Sequence, residues 1–123
     1  MTNVLITGIT GFIGSHLARK LVEEDYNVYG IVKHTPQRDL RPIEDIKNKI
    51  ALITADFRDF PSIKDAMSNI TPDYVCHLGA LTPVRLSFER PFEYLQHNYV
   101  GTLNVIHSLL GLPDFQQIGR AHV

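Results

Sequence analysis

The sequence has little cysteine, no tryptophan and no long apolar run, and these shortages exclude several classes of protein. Its 123 residues contain one cysteine, Cys76, which excludes an intrachain disulfide and a cysteine-rich zinc site. No apolar run reaches the ~20 residues that a membrane-spanning helix needs, and the opening residues lack the basic stretch of a secretory signal. The sequence therefore predicts a single domain located in the cytoplasm.

The charges are balanced, with 12 lysines and arginines against 13 acidic residues. This balance gives no basic surface for nucleic acid or an anionic membrane, so we expect neither as a partner. The six histidines stand singly, without the spacing of metal ligands, and no metal is expected. We expect His77 to be a structural strand residue, Cys76 to be a small buried side chain, and His16, His97 and His107 to occupy surface or packing positions.

Strand-like and helix-like segments alternate along the chain. Short apolar runs rich in β-branched residues are typical of strands buried in a parallel sheet. The alternation predicts an α/β fold, a Rossmann-like doubly wound parallel sheet of about four strands. Strands are predicted at residues 4–7, 28–32, 50–55 and 74–78, a loop at 33–40, and helices at 12–25, weakly at 43–49, after Pro61 and at 91–110.

Three glycines lie between the first strand and the first helix, spaced Gly-x-x-Gly-x-x-Gly. Glycine is needed there for a tight turn, for the approach of a pyrophosphate and for close helix–strand packing. A pyrophosphate would then lie on free amides at the positive end of the helix. We therefore predict cofactor binding by Gly8, Gly11 and Gly14, with amides from Phe12 and Ile13. The alternative is a glycine-rich turn that binds nothing.

The glycine loop resembles the opening of the extended short-chain dehydrogenase/reductase family, the NAD(P)-dependent nucleotide-sugar epimerases and dehydratases. Further matches follow in the family's order at residues 55–59, 73–80 and 98–104, and the resemblance runs from residue 3 to about residue 115. Within the family the sequence looks most like the GDP-mannose 4,6-dehydratases. The resemblance implies the NAD(P)-binding portion of a nucleotide-sugar 4,6-dehydratase or 4-epimerase, with a nucleotide-sugar as substrate of the full-length protein.

The resemblance also implies roles for individual residues. The Asp56 carboxylate would accept a hydrogen bond from the adenine amino group, with Phe57 against the ring; alternatively Asp56 is a turn or helix N-cap residue. Asn98 would help to position the active site from behind, unless it is a surface or helix-bonding residue. The end of the fourth strand would let the cofactor lie along the backbone at Leu78, Gly79 and Ala80.

The end of the second strand predicts which cofactor binds. NAD enzymes usually carry an acidic residue there to hold the ribose 2′-hydroxyl, whereas this sequence has Lys33. Lys33, with Arg38 or Arg41 from the following loop, would neutralise a 2′-phosphate. We therefore expect NADP, with NAD as the alternative; the other explanation is a solvated basic loop.

The catalytic residues of the family are missing from this sequence. Family members use a Tyr-x-x-x-Lys pair together with a Ser or Thr at the end of the fifth strand. Only Tyr29 and Lys33 have that spacing, and they lie on the second strand, so we interpret the spacing as coincidence and assign no catalytic residue. Two alternatives remain open, a non-catalytic NAD(P)H-binding module and a non-functional fragment. The helix at 91–110 resembles one through which family members commonly form homodimers.

The last seven residues match no strand of the family. They equal the in-frame translation of a widely used sequencing adapter, so we expect residues 117–123 to be a non-native tail. Residues 1–116 would then be the N-terminal part of an NAD(P)-binding Rossmann domain whose natural chain continues. The alternative is a genuine short tail.

Overall fold

The computed structural model describes residues 2–33, 39–79, 88–110 and 112, and the backbone of 117–120. No helix within these ranges is long and apolar enough to cross a membrane. A 3-10 helix precedes the third strand and a π-helical turn joins the last two helices. The elements are β1 (Asn3–Thr7), α1 (Phe12–Glu23), β2 (Asn27–Val32), the 3-10 helix (Arg41–Lys49), β3 (Ile50–Thr54), α2 (Phe60–Ile70), β4 (Tyr74–His77), α3 (Pro91–Leu95), the π-helical turn (Gln96–Val100), α4 (Gly101–Leu110) and β5 (Gln117–Arg120).

The five strands form one parallel sheet in the order β3-β2-β1-β4-β5. Successive side chains of a strand point to opposite faces, so Leu5 packs in one apolar core with α2 and α4, whereas Val4 and Ile6 pack in a second core with α1 and the 3-10 helix. The doubly wound α/β fold is confirmed. The strand order reverses between β1 and β4, the point at which such sheets bind ligands.

The fifth strand differs from the sequence-based expectation of about four strands. Gln117–Arg120 lies parallel to β4, with Gln117 opposite Tyr74 and Arg120 opposite His77. The physical reason is that the outer edge of β4 offers backbone N–H and C=O groups, and an extended segment can pair with these whatever its side chains are. The non-native origin of residues 117–123 stays a prediction.

Two predicted helices take other forms in the structure. The weak helix at 43–49 is a 3-10 helix, in which residues three apart lie on one face, and its buried side chains are accordingly Ile43 and Ile46. Arg19 of α1 binds this 3-10 helix, because its guanidinium donates hydrogen bonds to Asp45 and to the Pro42 carbonyl. The predicted long helix at 91–110 is interrupted by the π-helical turn, a deviation that often occurs near functional sites.

Candidate functional site

The glycine loop fills the narrow space between β1, α1 and the end of β4. Gly8 has φ +70°, and a Cβ there would stand 2.8 Å from the backbone nitrogen of Gly79. A Cβ on Gly14 would stand 2.1 Å from the Gly8 carbonyl oxygen. Neither position can hold a larger residue without moving backbone, so the two glycines fix how closely α1 and β4 approach β1.

The N-terminus of α1 is open to solvent. Gly11 is the N-cap and has no side chain to bond the helix amides. The first bond into the helix runs from the Ser15 N–H to the Gly11 carbonyl, at 3.0 Å, and the amides of Phe12, Ile13 and Gly14 therefore have no acceptor within the helix. The Phe12 side chain is 81% exposed. This end of α1 offers free donors and a positive dipole to an anion.

The end of β4 is held by one hydroxyl of β1. Thr7 Oγ1 accepts hydrogen bonds from the amides of Leu78 and Gly79, both at 3.0 Å. These bonds place Leu78 and Gly79 beside Gly8, at the point where the strand order reverses. Ala80, the third residue predicted there, lies outside the described residues.

His77 lies in a chain of hydrogen bonds behind the glycine loop. Its Nδ1 lies 2.7 Å from Thr7 Oγ1 and its Nε2 lies 3.0 Å from Thr102 Oγ1. The Thr102 hydroxyl donates its only proton to the Asn98 carbonyl, at 2.7 Å. It therefore accepts from His77 Nε2–H, and His77 Nδ1 accepts from the Thr7 hydroxyl. His77 is thus a buried residue that links β1, β4 and α4, which agrees with the structural role predicted for it.

A cleft of about 420 Å³ opens at the carboxyl ends of β2 and β3. It contains both carboxylates and cations, and two hydroxyl groups. It is lined by Lys33, Thr54, Ala55, Asp56, Arg58, Ser62, Glu93 and His97. Sequence reasoning had named only Lys33 and Asp56 of these as site residues. Ser62, Glu93 and His97 carry no motif and reach the cleft from α2, α3 and the π-helical turn.

Asp56 stabilises the turn after β3. Its Oδ1 accepts from the Arg58 backbone amide at 3.0 Å, and its two oxygens bind the Arg58 guanidinium, each at 3.2 Å. The hydrogen bonds from Arg58 lower the pKa of Asp56. Asp56 therefore stabilises the turn, as its alternative role requires, and it also lines the cleft. Its contact with an adenine amino group stays a prediction. The Phe57 ring lies in the core and is 7% exposed, which leaves little of it to touch an adenine ring.

Lys33 and His97 meet across the cleft, with Nζ and Nε2 2.9 Å apart. Burial lowers the pKa of Lys33, and the nearby Arg58 guanidinium lowers it further. Burial likewise lowers the pKa of His97, followed by the charges of Lys33 and Arg58. The assignment of His97 to a surface or packing position missed this contact, because nothing in the sequence indicates that a residue 64 positions after Lys33 will face it.

The other basic residues predicted to assist Lys33 are not at the cleft or are not described. Arg41 pairs with Asp39 at the surface, with 2.9 Å between Nε and Oδ1. Arg38 lies outside the described residues. Arg58, which follows β3, is the second cation of the cleft instead, since the carboxyl ends of adjacent parallel strands share one edge of the sheet.

The matched motif at residues 98–104 holds α4 against the turn after β3. A Cβ on Gly101 would stand 3.2 Å from Phe57 Cβ, so glycine permits the contact. Asn104 Nδ2 donates to the Phe57 carbonyl at 2.7 Å. These contacts, together with the Thr102 hydroxyl, give the motif a structural function within the described residues.

Two remaining sequence-based assignments concern single residues. Tyr29 is half-buried against the core around Leu5, whereas Lys33 lines the cleft, which agrees with coincidental Tyr-x-x-x-Lys spacing. Cys76 is half-buried and burial raises the pKa of its thiol, as expected of an unreactive packing residue. Across the described ranges, no three His, Cys, Asp or Glu residues come together as metal ligands.

Known proteins share both the sequence pattern and this fold. A family model described as GDP-mannose 4,6 dehydratase matches residues 5–117. A GDP-mannose 4,6-dehydratase of Sordaria araneosa is 37% identical over 112 residues, covering 89% of this chain and 21% of its own length. The chain thus spans about a fifth of that relative.

Solved structures give the same result. The UDP-glucose 4-epimerase of Thermotoga maritima, crystallised with UDP-glucose, has a TM-score of 0.84 and 25% identity over 97% of this chain and 37% of its own. The UDP-glucose-4-epimerase of Stenotrophomonas maltophila, with bound NAD and formylated UDP-arabinopyranose, has a TM-score of 0.83 and 27% identity, covering 98% of this chain and 36% of its own. The chain belongs to the GDP-mannose 4,6-dehydratase family of nucleotide-sugar dehydratases and epimerases.

Proposed function

We propose that this chain binds a nicotinamide dinucleotide, with the pyrophosphate on the glycine loop and the adenosine in the cleft between Lys33 and Asp56. The observation that carries the proposal is the position of Gly8, Gly11 and Gly14 around the uncapped start of α1. The free backbone amides at the start of α1 lie at the reversal of strand order, which is the ligand site of open parallel sheets. The NAD bound by the Stenotrophomonas epimerase supports the same class of ligand.

The test is to measure NADP+ and NAD+ binding to the purified chain by calorimetry, with Gly11→Asp as the diagnostic variant. Aspartate is a preferred N-cap residue, and the extended backbone of Gly11 accepts it. Its carboxylate would bond the free amides and repel a pyrophosphate. We expect the dissociation constant to rise at least about tenfold, equivalent to ~1.4 kcal/mol, while the unfolding free energy stays unchanged or increases.

The matched control is Ser68→Asp, which adds the same charge at an exposed position of α2. Unchanged binding in this control assigns the loss to the loop and not to net charge. Equal affinity in the Gly11→Asp variant and the unmodified chain, or no binding by the unmodified chain, would contradict the proposal.

We propose NADP as the preferred cofactor, supported by Lys33 and Arg58 at the cleft that would hold the adenosine ribose. A 2′-phosphate is recognised by such cations. NAD is the second candidate, because Glu93 also lines the cleft and would accept bonds from ribose hydroxyls. Calorimetry with both nucleotides decides between them: tighter binding of NAD+ would overturn the argument from Lys33.

We further propose that the dinucleotide serves a 4,6-dehydratase or 4-epimerase acting on a nucleotide-sugar in the cytoplasm, with this chain as the cofactor-binding portion. The family supports this reaction class, and no residue described in this structure is proposed as its acid or base. Incubating the whole protein with GDP-mannose and with UDP-glucose, and identifying the products, tests the proposal. Retention of NAD(P)H without any turnover would favour the non-catalytic binding module instead.

We propose that a second copy of the chain covers the exposed apolar side of α3 and α4. Tyr99 of the π-helical turn and Leu103 of α4 line a groove of about 680 Å³ there, and the family resemblance of this helix implies a homodimer contact. Light scattering should give a dimer mass that Leu103→Glu reduces to a monomer mass. A monomer in the unmodified protein would contradict this proposal.

A further inference from the structure

The contact between Lys33 and His97 restricts where protons can reside in the cleft. The two nitrogens are 2.9 Å apart, so one must donate and the other must accept. A lysine ammonium has no lone pair, and neither does a doubly protonated imidazole. Because an amine is a far stronger base than an imidazole, the Lys33 ammonium donates to Nε2 of a neutral His97, which carries its proton on Nδ1.

The charges of the four ionised side chains of the cleft cancel when His97 is neutral. Lys33 at the end of β2 and Arg58 after β3 are cations, whereas Asp56 after β3 and Glu93 of α3 are carboxylates. Asp56 is bound by Arg58 at 3.2 Å, and Glu93 also lies 3.6 Å from the Arg90 guanidinium. A 2′-phosphate carries about −1.5 to −2 charges at neutral pH, and it would enter a cleft whose lining has no net charge.

We propose that binding of a nucleotide 2′-phosphate in this cleft takes up a proton from solvent onto His97, making the preference for NADP over NAD dependent on pH. The Lys33 ammonium turns from His97 to a phosphate oxygen, which frees Nε2 to take a proton and to donate to the phosphate. NAD, which has no 2′-phosphate, leaves the pair as it is. The inference rests on the proposed dinucleotide function and identifies His97 as a specificity-determining residue.

Calorimetry in two buffers of different ionisation enthalpy measures the proton directly. At pH 7 we expect NADP+ binding to take up a substantial fraction of one proton and NAD+ binding to take up almost none. The phosphate of the ligand titrates near pH 6 and would release protons when it meets cations. Net proton uptake therefore has the opposite sign and must come from a side chain of the protein. Zero or negative uptake with NADP+ would overturn the inference.

The matched variant is His97→Gln, whose amide oxygen still accepts from Lys33 but cannot titrate. The ratio of the NAD+ to the NADP+ dissociation constant should rise more steeply as pH falls from 8 to 6 in the unmodified chain than in this variant. If one proton is linked to binding, the change in this ratio per pH unit can differ between the two proteins by at most about tenfold. His107→Gln, at an exposed histidine of α4, should retain the full slope.

The outcomes separate this inference from the proposed function. If both nucleotides bind, and the ratio of their dissociation constants depends on pH equally in the unmodified chain and in His97→Gln, the inference is wrong and the dinucleotide function stands. If neither nucleotide binds at any pH, the proposed function fails and the inference fails with it. The two-buffer measurement needs no variant, so it decides the matter even if His97→Gln does not fold.

Discussion

Thr7 and His77 are joined by a 2.7 Å hydrogen bond between Oγ1 and Nδ1, across β1 and β4 at the reversal of strand order. The same Thr7 oxygen accepts hydrogen bonds from the backbone amides of Leu78 and Gly79. The backbone that faces the proposed cofactor is therefore positioned by a buried polar chain that continues through Thr102 into α4. Such a chain stabilises the fold only when every member is satisfied, which makes it sensitive to single substitutions.

Thr102→Val should destabilise the chain although it preserves side-chain volume. The change removes the Thr102 hydroxyl that lies 3.0 Å from His77 Nε2, and the loss of such a hydrogen bond costs ~0.5–1.5 kcal/mol. Thr102→Ser keeps the hydroxyl and should cost less than the valine substitution. Urea unfolding of both variants measures the difference, and a serine variant that loses as much stability as the valine variant, or more, would contradict the role given to the hydrogen bond.

Gly14→Ala should damage the junction of α1 and β1. The new methyl group would stand 2.1 Å from the Gly8 carbonyl oxygen, so backbone must move. We expect at least the ~1–3 kcal/mol typical of overpacking. Gly11→Ala is the control, since its Cβ would stand 3.3 Å from that same oxygen and requires only a small shift. The prediction is wrong if thermal unfolding ranks the two variants in the reverse order.

Asn104→Ala should loosen α4 from the turn that carries Asp56. It removes the 2.7 Å hydrogen bond to the Phe57 carbonyl, and we expect a loss of ~1–3 kcal/mol in unfolding free energy. Asn69→Ala, at an exposed position of α2, removes the same side chain where surface changes usually stay within about 0.5 kcal/mol. Chemical denaturation checks both variants, and similar effects would contradict the role given to Asn104.

Stability should fall as the pH drops from about 7 to 5, in part through His97. Burial and the neighbouring cations hold the pKa of His97 below its ordinary value, which is ~6.5 in the unfolded chain. The unfolded chain therefore binds the proton first, so the contribution of His97 is complete above pH 6.5 and is lost as pH falls through the folded pKa. His97→Gln should flatten the pH dependence of the melting temperature, whereas a slope unchanged by that substitution would exclude His97 as its source.

The sequence by itself determined the first four strands, the helices α1 and α2, and the glycine loop. The apolar periodicity of a strand or helix is a local property, and glycine at positions 8 and 14 is required by contacts within the loop and with its immediate neighbours in the sheet. The motif at residues 98–104 could also be recognised from its local spacing. Its contacts with Phe57 could not be predicted, because Phe57 lies far away in the chain.

Only the tertiary structure decided the composition of the cleft and the partners of His77. Lys33, Arg58 and His97 come from three segments that no local pattern connects, and the parallel order β3-β2-β1 brings the first two to one edge of the sheet. The π-helical turn then places His97 opposite Lys33. Proton sharing depends on distances of a few ångströms between residues far apart in the chain, and the fold alone sets those distances.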